Sequence, residues 1–312
     1  MKAVVINHYG SKEELHEILV EDPVPGPRQV IVKLSATSIN PIDWKLREGY
    51  LKQLFDWPFP IILGWDAAGV IIEVGEQVTE WKKGDRVFAR PATTRFGTYA
   101  EYAAVDADLL ARIPENISFA EAASVPLAGL TAWQALFDHA DLKPGEKVLV
   151  HAGAGGVGSL AVQFAKARGA YVIATAGAEN SDFLKSLGVD EVIDYHTTHF
   201  EDVLSDIDVV FDTMGGEIQK ASFKVLKKGT GRLVSIVSAP DQTLAERYGV
   251  AAESIWLKEN GEQLKEIADL LASGKVKAIV GTEFPFSEQG LKEAHALSET
   301  HHARGKIVIT FD

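Results

Sequence analysis

Positions 153–158 have the residue types and spacing of a phosphate-binding turn. They read Gly-Ala-Gly-Gly-Val-Gly, which matches the pattern G-x-G-x-x-G. The apolar run Val148–His151 precedes the turn, and the helical pattern Val157–Ala167 follows it. Glycines at this spacing permit a tight turn and a close approach of backbone to a pyrophosphate, whose charge a helix N-terminus stabilises. Strand, turn and helix in this order predict a dinucleotide site at Gly153, Gly155 and Gly158, in preference to a plain connector.

The end of the next strand bears on which dinucleotide binds. NAD-binding proteins usually hold the ribose with an acidic residue about 20 positions after the turn. Here the strand ends Ala174-Thr175-Ala176-Gly177, without a carboxylate, which favours NADPH. No Arg or Lys stands at 177–182, so backbone amides and Asn180 would hold the 2′-phosphate, with Glu179 pointing away. A solvated loop that tolerates either cofactor is the alternative.

Charge and composition narrow the function classes. The net charge of −13 disfavours nucleic acid and anionic membranes as partners and favours small molecules. The chain has no cysteine, so disulfides, thiolate nucleophiles and Cys-ligated zinc are excluded. No apolar run reaches the length of a membrane span, and no signal peptide is recognised, so we expect a cytoplasmic protein. His196 and His199 have a ligand-like spacing, but we expect no metal site.

The pattern of elements predicts an α/β protein. Short apolar runs punctuated by Pro and Gly up to about position 115 predict a β-rich domain. Ser118 and Glu121 have the spacing of a capping box, which predicts a helix continuing to His139. From 147 to about 237, strands and helices alternate, as in a doubly wound parallel sheet. A strand-like stretch at 249–257, helices at 261–273 and 288–298 and a last strand at 306–311 follow.

Several further segments, in this order along the chain, resemble the medium-chain dehydrogenase/reductase superfamily in its zinc-free quinone oxidoreductase and enone reductase branch. The resemblance spans nearly the whole chain and lies in Ser38-Ile39-Asn40-Pro41-Ile42-Asp43-Trp44-Lys45, Gly64-Trp65-Asp66-Ala67-Ala68-Gly69, Lys83-Gly84-Asp85-Arg86-Val87, Gly97-Thr98-Tyr99-Ala100-Glu101-Tyr102, Ala128-Gly129-Leu130-Thr131-Ala132 and Ala303-Arg304-Gly305-Lys306.

The resemblance implies a GroES-like domain from residues 1–119 and 276–312, a Rossmann NADP-binding domain at 120–275, and an active site in the cleft separating them. It also implies a homodimer paired through the strand-like stretch at 249–257. The zinc-dependent branch carries Gly-His-Glu, a catalytic Cys and a four-Cys lobe. This chain has Gly64-Trp65-Asp66 and no Cys, so we expect it to work without zinc.

The same resemblance implies roles for individual residues. Asn40, Lys45 and Tyr50 are candidates near the reacting groups. The expected cofactor contacts are Lys45, Thr131, Gly153, Gly155, Gly156, Val157, Gly158, Gly177, Ala178, Glu179, Asn180, Tyr195, Ser238, His302 and Ala303.

Structural roles stay open for some of these residues. Asn40 could brace its turn, Thr131 could bond its own helix, Lys45 could be a solvated charge, and Tyr195 could pack on the sheet. Tyr50 could be a substrate lid or a packing aromatic. Five neighbouring aromatics could line an apolar pocket, but we expect at least half of them to fill the core: Trp44, Phe55, Trp57, Phe59 and Trp65.

Hydride chemistry without zinc favours particular substrates. A ketone yields a localised, basic alkoxide, whereas an enone or quinone yields a delocalised anion that hydrogen-bond donors can stabilise. The expected reaction is NADPH-dependent reduction of quinones or α,β-unsaturated carbonyls. Candidate donors are Lys45, Asn40, Tyr50 and the cofactor ribose, with Tyr50 or solvent supplying the proton. The alternatives are a 2-enoyl-thioester reductase and a non-enzymatic NADPH-binding sensor or structural protein.

Overall fold

The computed structural model describes residues 1–311 as two compact units. Within these residues, the first comprises 1–128, 259–274 and 278–311, and the second comprises 129–258 and 275–277. The strands are β1 Lys2–Ile6, β2 His16–Leu19, β3 Gln29–Ser38, β4 Ile61–Ile62, β5 Ala67–Val74, β6 Arg86–Ala89, β7 Tyr102–Asp106, β8 Leu110–Arg112, β9 Lys147–Val150, β10 Tyr171–Ala176, β11 Glu191–Asp194, β12 Val209–Asp212, β13 Arg232–Ser235, β14 Ala251–Ser254, β15 Val280–Pro285 and β16 Lys306–Thr310. The helices are α1 Pro41–Arg47, α2 Phe119–Ala123, α3 Pro126–Trp133, α4 Gly156–Ala167, α5 Ser181–Ser186, α6 Phe200–Val203, α7 Gly216–Ser222, α8 Gln242–Tyr248, α9 Gly261–Ala272 and α10 Glu288–Glu299.

The first unit is built on β-sheets from both ends of the chain. Its larger sheet has the order β15-β16-β3-β5-β6-β8, with β7 also paired to β3, and a smaller sheet has the order β2-β1-β4. Alternate residues of β3, such as Val30, Val32 and Leu34, enter one apolar core with Val87 of β6 and Val105 of β7. The predicted β-rich domain is therefore confirmed, and β16 at the C-terminal end completes it.

The second unit is a six-stranded parallel sheet. Its order is β11-β10-β9-β12-β13-β14, which is the order found in dinucleotide-binding sheets. The strands are added on one side of β9 up to β11 and on its other side from β12 onwards. The central strands are buried on both faces; Val148, Leu149 and Val150 of β9 are each 0% exposed. The switch point lies between β9 and β12, so the turn after β9 is at the expected edge for a ligand.

The helix predicted from 118 to 139 is divided into separate segments. The capping box is confirmed, since the Glu121 N–H donates to Ser118 Oγ at 3.2 Å and the Ser118 N–H donates to Glu121 Oε2 at 2.8 Å. Pro126 begins α3 because proline has no N–H to continue the preceding helix. After Trp133 the chain continues as a wider π-helical segment, Gln134–His139.

The units divide elsewhere than at the predicted domain boundaries. Residues 259–274, which the sequence analysis places in the dinucleotide domain, belong to the first unit. The apolar face of α9 is buried there, and its start packs so closely that a Cβ on Gly261 would lie 2.1 Å from the Asp108 carbonyl oxygen. The Asn116 amide also donates to the Leu271 carbonyl at 3.3 Å. These contacts fix α9 against β8 and its neighbours.

Candidate functional site

The glycine-rich turn joins β9 to α4 in a strained conformation. Ala152 has φ 50°, a left-handed value that costs a residue with a Cβ about 1 kcal/mol or more. The Gly153 N–H donates to the Thr175 carbonyl at 3.0 Å, which ties the turn to the end of β10. Gly155 is the N-cap of α4. The backbone therefore turns sharply and presents the start of a twelve-residue helix, as the sequence predicts.

The three motif glycines differ in what surrounds them. A Cβ on Gly158 would lie 2.2 Å from the Ala152 carbonyl oxygen, and one on Gly153 would lie 2.7 Å from the Ala174 Cβ. At Gly155 the nearest atom would be 3.4 Å away. Gly153 and Gly158 thus allow strand, turn and helix to pack, while Gly155 leaves space beside the backbone. This open cradle at a helix N-terminus fits the pyrophosphate of a dinucleotide.

A buried histidine, which the sequence pattern does not indicate, supports this turn. The Ser222 hydroxyl donates to the Ile218 carbonyl, so it accepts from His151 Nε2–H at 2.9 Å. His151 Nδ1 then accepts from the Thr175 hydroxyl at 3.2 Å, and Thr175 Oγ1 accepts from the Ala152 N–H at 3.2 Å. Burial lowers the pKa of His151 to about 4 and keeps the ring neutral. The ring thereby holds the strained residue of the turn in place.

The segment after β10 places the Glu179 carboxylate close to the backbone. The Glu179 carboxylate folds back towards Gly177, where both of its oxygens would lie 2.5 Å from an added Cβ. The Asn180 side-chain amide donates to Glu179 Oε1 at 3.1 Å and favours this orientation. The carboxylate therefore lies beside the end of β10, and its orientation towards a bound 2′-phosphate stays a prediction. Ala178 and Asn180 complete the short turn beside it.

A second set of hydrogen bonds shapes the loops after β12 and β13. Asp212 is fully buried; its Oδ1 accepts from the N–H groups of Met214 and Gly215, both at 2.9 Å. Its Oδ2 accepts from the Gln219 amide at 2.9 Å and from the Ser235 hydroxyl at 2.8 Å. The same Gln219 amide donates to the Ser238 carbonyl at 3.1 Å, so predicted Ser238 is held at this edge. The sequence feature that could have indicated Asp212 is an acidic residue at the end of an apolar strand.

The remaining predicted residues of the second unit lie in different surroundings. Tyr195 follows β11 and is 49% exposed, with its ring centroid 4.2 Å from that of His196. Thr131 lies within α3 and is 6% exposed. The parallel sheet thus brings together the Gly153–Gly158 turn, Gly177–Asn180, Tyr195 and Ser238 at the carboxyl ends of its strands. The sequence-based cofactor roles of these residues stay predictions.

In the first unit, Asn40 belongs to a buried polar network. Its amide nitrogen donates to Asp66 Oδ2 at 2.7 Å, and its side-chain oxygen accepts from Lys306 Nζ at 2.5 Å. Lys306 also donates to the Ile39 carbonyl at 2.7 Å, and burial lowers its pKa. Asn40 is 2% exposed. Both ends of the Asn40 amide therefore bond protein atoms, an arrangement that positions α1.

Lys45 and Tyr50 lie on α1 and on the turn that follows it. Lys45 Nζ is 5.6 Å from the centroid of the Trp44 ring, and partial burial lowers the pKa of Lys45. Tyr50 is 69% exposed and meets the Trp44 ring edge-on at 6.4 Å. A hydrogen bond with Glu48 raises the pKa of Tyr50, so the phenol keeps its proton at neutral pH. An ammonium and a phenol, both donors, therefore flank one indole ring.

The segment before β16 reaches the same indole ring. The His301 ring centroid lies 5.9 Å from that of Trp44. The next residue, His302, is exposed, and its N–H donates to Thr300 Oγ1 at 3.2 Å; Ala303 is half-buried. Predicted His302 and Ala303 are thus close in sequence to a residue that contacts α1, although nothing further distinguishes them.

The neighbouring aromatic residues are mostly outside the core. Trp65 is fully buried, and its Nε1–H donates to the Thr94 carbonyl at 3.2 Å. Trp44, Phe55 and Trp57 are half-buried, and Phe59 is 36% exposed. The expectation that at least half of the five fill the core is therefore wrong, because they lie on α1 and an extended loop instead of on inward-facing strand positions.

Comparison with known proteins identifies the family to which the chain is similar. The family model described as alcohol dehydrogenase GroES-like domain matches residues 26–115, and the one described as zinc-binding dehydrogenase matches 187–309. A 2-methylene-furan-3-one reductase of Solanum lycopersicum is 41% identical over 99% of this chain and 79% of its own length. The NADPH-dependent alkenal/one oxidoreductase of Arabidopsis thaliana is 39% identical with the same coverages.

The chain belongs to the medium-chain dehydrogenase/reductase superfamily. Within it, the chain lies in the quinone oxidoreductase and enone reductase branch. The structure of a quinone oxidoreductase from Coxiella burnetii superposes with a TM-score of 0.92 at 36% identity, covering 99% of both chains. As a member of this branch the protein is an oxidoreductase, and the α/β architecture of the superfamily is confirmed.

Proposed function

We propose that this oxidoreductase transfers hydride from NADPH to an enone or a quinone, without a metal ion. The observation that carries the proposal is the glycine-rich turn, which leaves Gly155 open at the start of α4, in a chain similar to an NADPH-dependent alkenal/one oxidoreductase. Bound NADPH would supply the hydride. The protein would hold the pyrophosphate at Gly155, Gly156 and Val157 and the adenosine ribose at Gly177–Asn180.

Donors on the first unit suit a delocalised anion. The Lys45 ammonium and the protonated Tyr50 phenol flank the Trp44 ring. Lys45 can donate a hydrogen bond to a substrate oxygen, and Tyr50 can do so by exchanging its Glu48 acceptor for that oxygen. Hydrogen-bond donors alone stabilise an enolate or a hydroquinone anion better than a localised alkoxide. These residues therefore favour conjugated acceptors over simple ketones.

Two features support a mechanism without zinc. The chain contains no cysteine, and Gly64-Trp65-Asp66 stands where the zinc-dependent branch carries Gly-His-Glu. Asp66 accepts at Oδ1 from the Leu127 N–H at 2.7 Å and at Oδ2 from the Ser38 hydroxyl at 2.6 Å, besides the Asn40 amide. The carboxylate of Asp66 is thus engaged by protein donors.

The proposal includes a homodimer paired through β14. This strand ends the six-stranded sheet, and exposed Trp256 follows it. An exposed strand edge is a template for pairing with a second chain.

None of the helices within residues 1–311 has the length and apolar character of a membrane span. A cytoplasmic location stays a prediction.

Turnover of metal-stripped protein tests the proposed function. Oxidation of NADPH, with NADH in parallel, would be followed with phenanthrenequinone, benzoquinone and a short 2-alkenal as acceptors. We expect turnover that survives a chelator and strongly prefers NADPH. Activity that disappears on metal removal and returns with zinc would contradict metal independence. Tight NADPH binding without turnover of any acceptor would favour the thioester reductase or sensor alternative.

A further inference from the structure

Four buried side chains of the first unit form a continuous chain of hydrogen bonds. An arginine can only donate, so Arg47 Nη1 donates to His295 Nδ1 at 2.9 Å. The proton of the neutral ring is then on Nε2, which donates to the Tyr99 oxygen at 3.0 Å. The Tyr99 hydroxyl in turn donates to Asp43 Oδ2 at 2.8 Å. The order is therefore Arg47, His295, Tyr99 and Asp43, which we call the Asp43 relay.

The Asp43 relay ends at the first turn of α1. Asp43 Oδ2 also accepts from the Asn40 N–H at 2.8 Å and thereby caps the helix. Asp43 Oδ1 is buried and has no hydrogen-bond partner within residues 1–311. Since α1 has only seven residues, its order depends strongly on such a cap. Lys45 lies two residues after Asp43 on this short helix.

We propose that Asp43 is a positioning residue for hydride transfer, which orders α1 and Lys45 to a degree set by whether its carboxyl group carries a proton. The proposal rests on the proposed function, because Lys45 serves there as a donor to the substrate. Asp43 is 0% exposed, so it acts through the helix and not by touching substrate.

The surroundings of Asp43 place its proton equilibrium near neutrality. Burial raises the pKa of Asp43 to about 7, against the opposing effects of the Asn40 N–H, the Tyr99 hydroxyl and the Lys306 ammonium. The Asp66 carboxylate adds to the increase, and the Arg90 guanidinium also interacts with Asp43. His295 stays neutral, because burial and Arg47 lower its pKa to about 3. Arg47 also pairs with the Glu48 and Glu299 carboxylates, each 2.8 Å away.

The sign of the expected pH effect follows from the cap. Below the pKa of Asp43 the neutral carboxyl is a weak acceptor for the Asn40 N–H, and above it the carboxylate is a strong one at a helix N-terminus. Order in α1, and with it kcat/KM, therefore rises with pH in a one-proton step whose midpoint is near 7.

Two variants and a control test the proposal by their pH profiles. Asp43→Asn keeps an acceptor but cannot ionise, so its kcat/KM should lack the step and stay roughly five- to tenfold below wild type on the alkaline side. Tyr99→Phe removes a donor that lowers the pKa of Asp43, so the step should move to higher pH. Tyr102→Phe, a change of the same kind on β7, should leave the profile unaltered. A step that persists in Asp43→Asn, or an unmoved midpoint in Tyr99→Phe, would overturn the proposal.

An NMR titration separates this proposal from the proposed function. The Asn40 amide proton and the Lys45 side-chain carbons should shift together with a midpoint near 7 in wild type and show no such step in Asp43→Asn. This measurement needs no substrate. If wild type turned over no acceptor yet showed this titration, the proposed function would fail while the coupling of Asp43 to Lys45 stood. If the signals did not titrate with Asp43, the coupling itself would be refuted.

Discussion

The Glu179 carboxylate folds back onto Gly177, at the strand end where dinucleotide-binding proteins hold the adenosine ribose. A 2′-phosphate bound there would be repelled by this charge unless the side chain rotated. We expect Glu179→Gln to tighten NADPH binding roughly fivefold, which corresponds to about 1 kcal/mol, and to weaken NADH binding. Dissociation constants from fluorescence titration would check this. Glu246→Gln, at an exposed position of α8, changes the net charge equally and should alter neither affinity; an equal effect there would point to general electrostatics.

Buried His151 should make the second unit sensitive to acid. Its pKa is lowered from 6.5 to about 4, so between these pH values the histidine is protonated in the unfolded chain and neutral in the folded one. The free energy of unfolding is unaffected by this proton above about pH 6.5. It decreases as the pH falls towards 4, by up to about 1.4 kcal/mol per pH unit. Urea unfolding at a series of pH values should show a shallower slope for His151→Gln. The exposed control His8→Gln should keep the wild-type slope, and an unchanged slope in His151→Gln would contradict the argument.

Local spacing and long-range contacts differ in how far they can be predicted from the sequence. The Gly153–Gly158 turn is predictable because its strand, glycines and helix are adjacent in the chain. The Asp43 relay is not, because Arg47 and His295 are 248 positions apart and each alone resembles an ordinary polar residue. The orientation of Glu179 also depends on a hydrogen bond that composition does not show.

At the scale of the element, we expect different glycines of the glycine-rich turn to be needed for folding and for cofactor binding. Gly158→Ala would force a Cβ to within 2.2 Å of the Ala152 carbonyl oxygen, so we expect a loss of stability of about 3 kcal/mol. Gly155→Ala meets no atom closer than 3.4 Å and should fold like wild type, yet it should weaken NADPH binding by at least about tenfold by occupying the pyrophosphate approach. Thermal unfolding and cofactor titration measure the two effects. Wild-type NADPH affinity in Gly155→Ala would argue against binding at this turn.

The sequence does not predict some elements whose patterns are weak. The strand β15 reads Val-Gly-Thr-Glu-Phe-Pro, which lacks apolar alternation, and it forms because it pairs in parallel with β16. Short helices α6 and α8 were also missed, since four and seven residues give little periodicity. Helix α9 was predicted but assigned to the other domain, because periodicity identifies an apolar face and not the surface that covers it.

At the scale of the whole molecule, the expected dimer depends on the free edge of β14. The Ala251 and Ile255 N–H groups donate to the Gly231 and Ser235 carbonyls, so the alternation of a strand directs the Ser254 N–H away from β13. We expect Ser254→Pro to remove only the outward donor and to yield a monomer by size-exclusion chromatography with light scattering. Ser254→Ala should stay dimeric. A wild-type protein that already runs as a monomer would refute the dimer.

The central claim is that the protein passes hydride directly from NADPH to a conjugated acceptor. The most direct measurement uses NADPH carrying deuterium at the transferable position, metal-stripped protein and a short 2-alkenal. We expect a saturated aldehyde with one deuterium at the carbon β to the carbonyl, formed from only one of the two labelled NADPH epimers. Deuterium at the carbonyl carbon, in an allylic alcohol, would show carbonyl reduction instead and would contradict hydride transfer to the conjugated carbon.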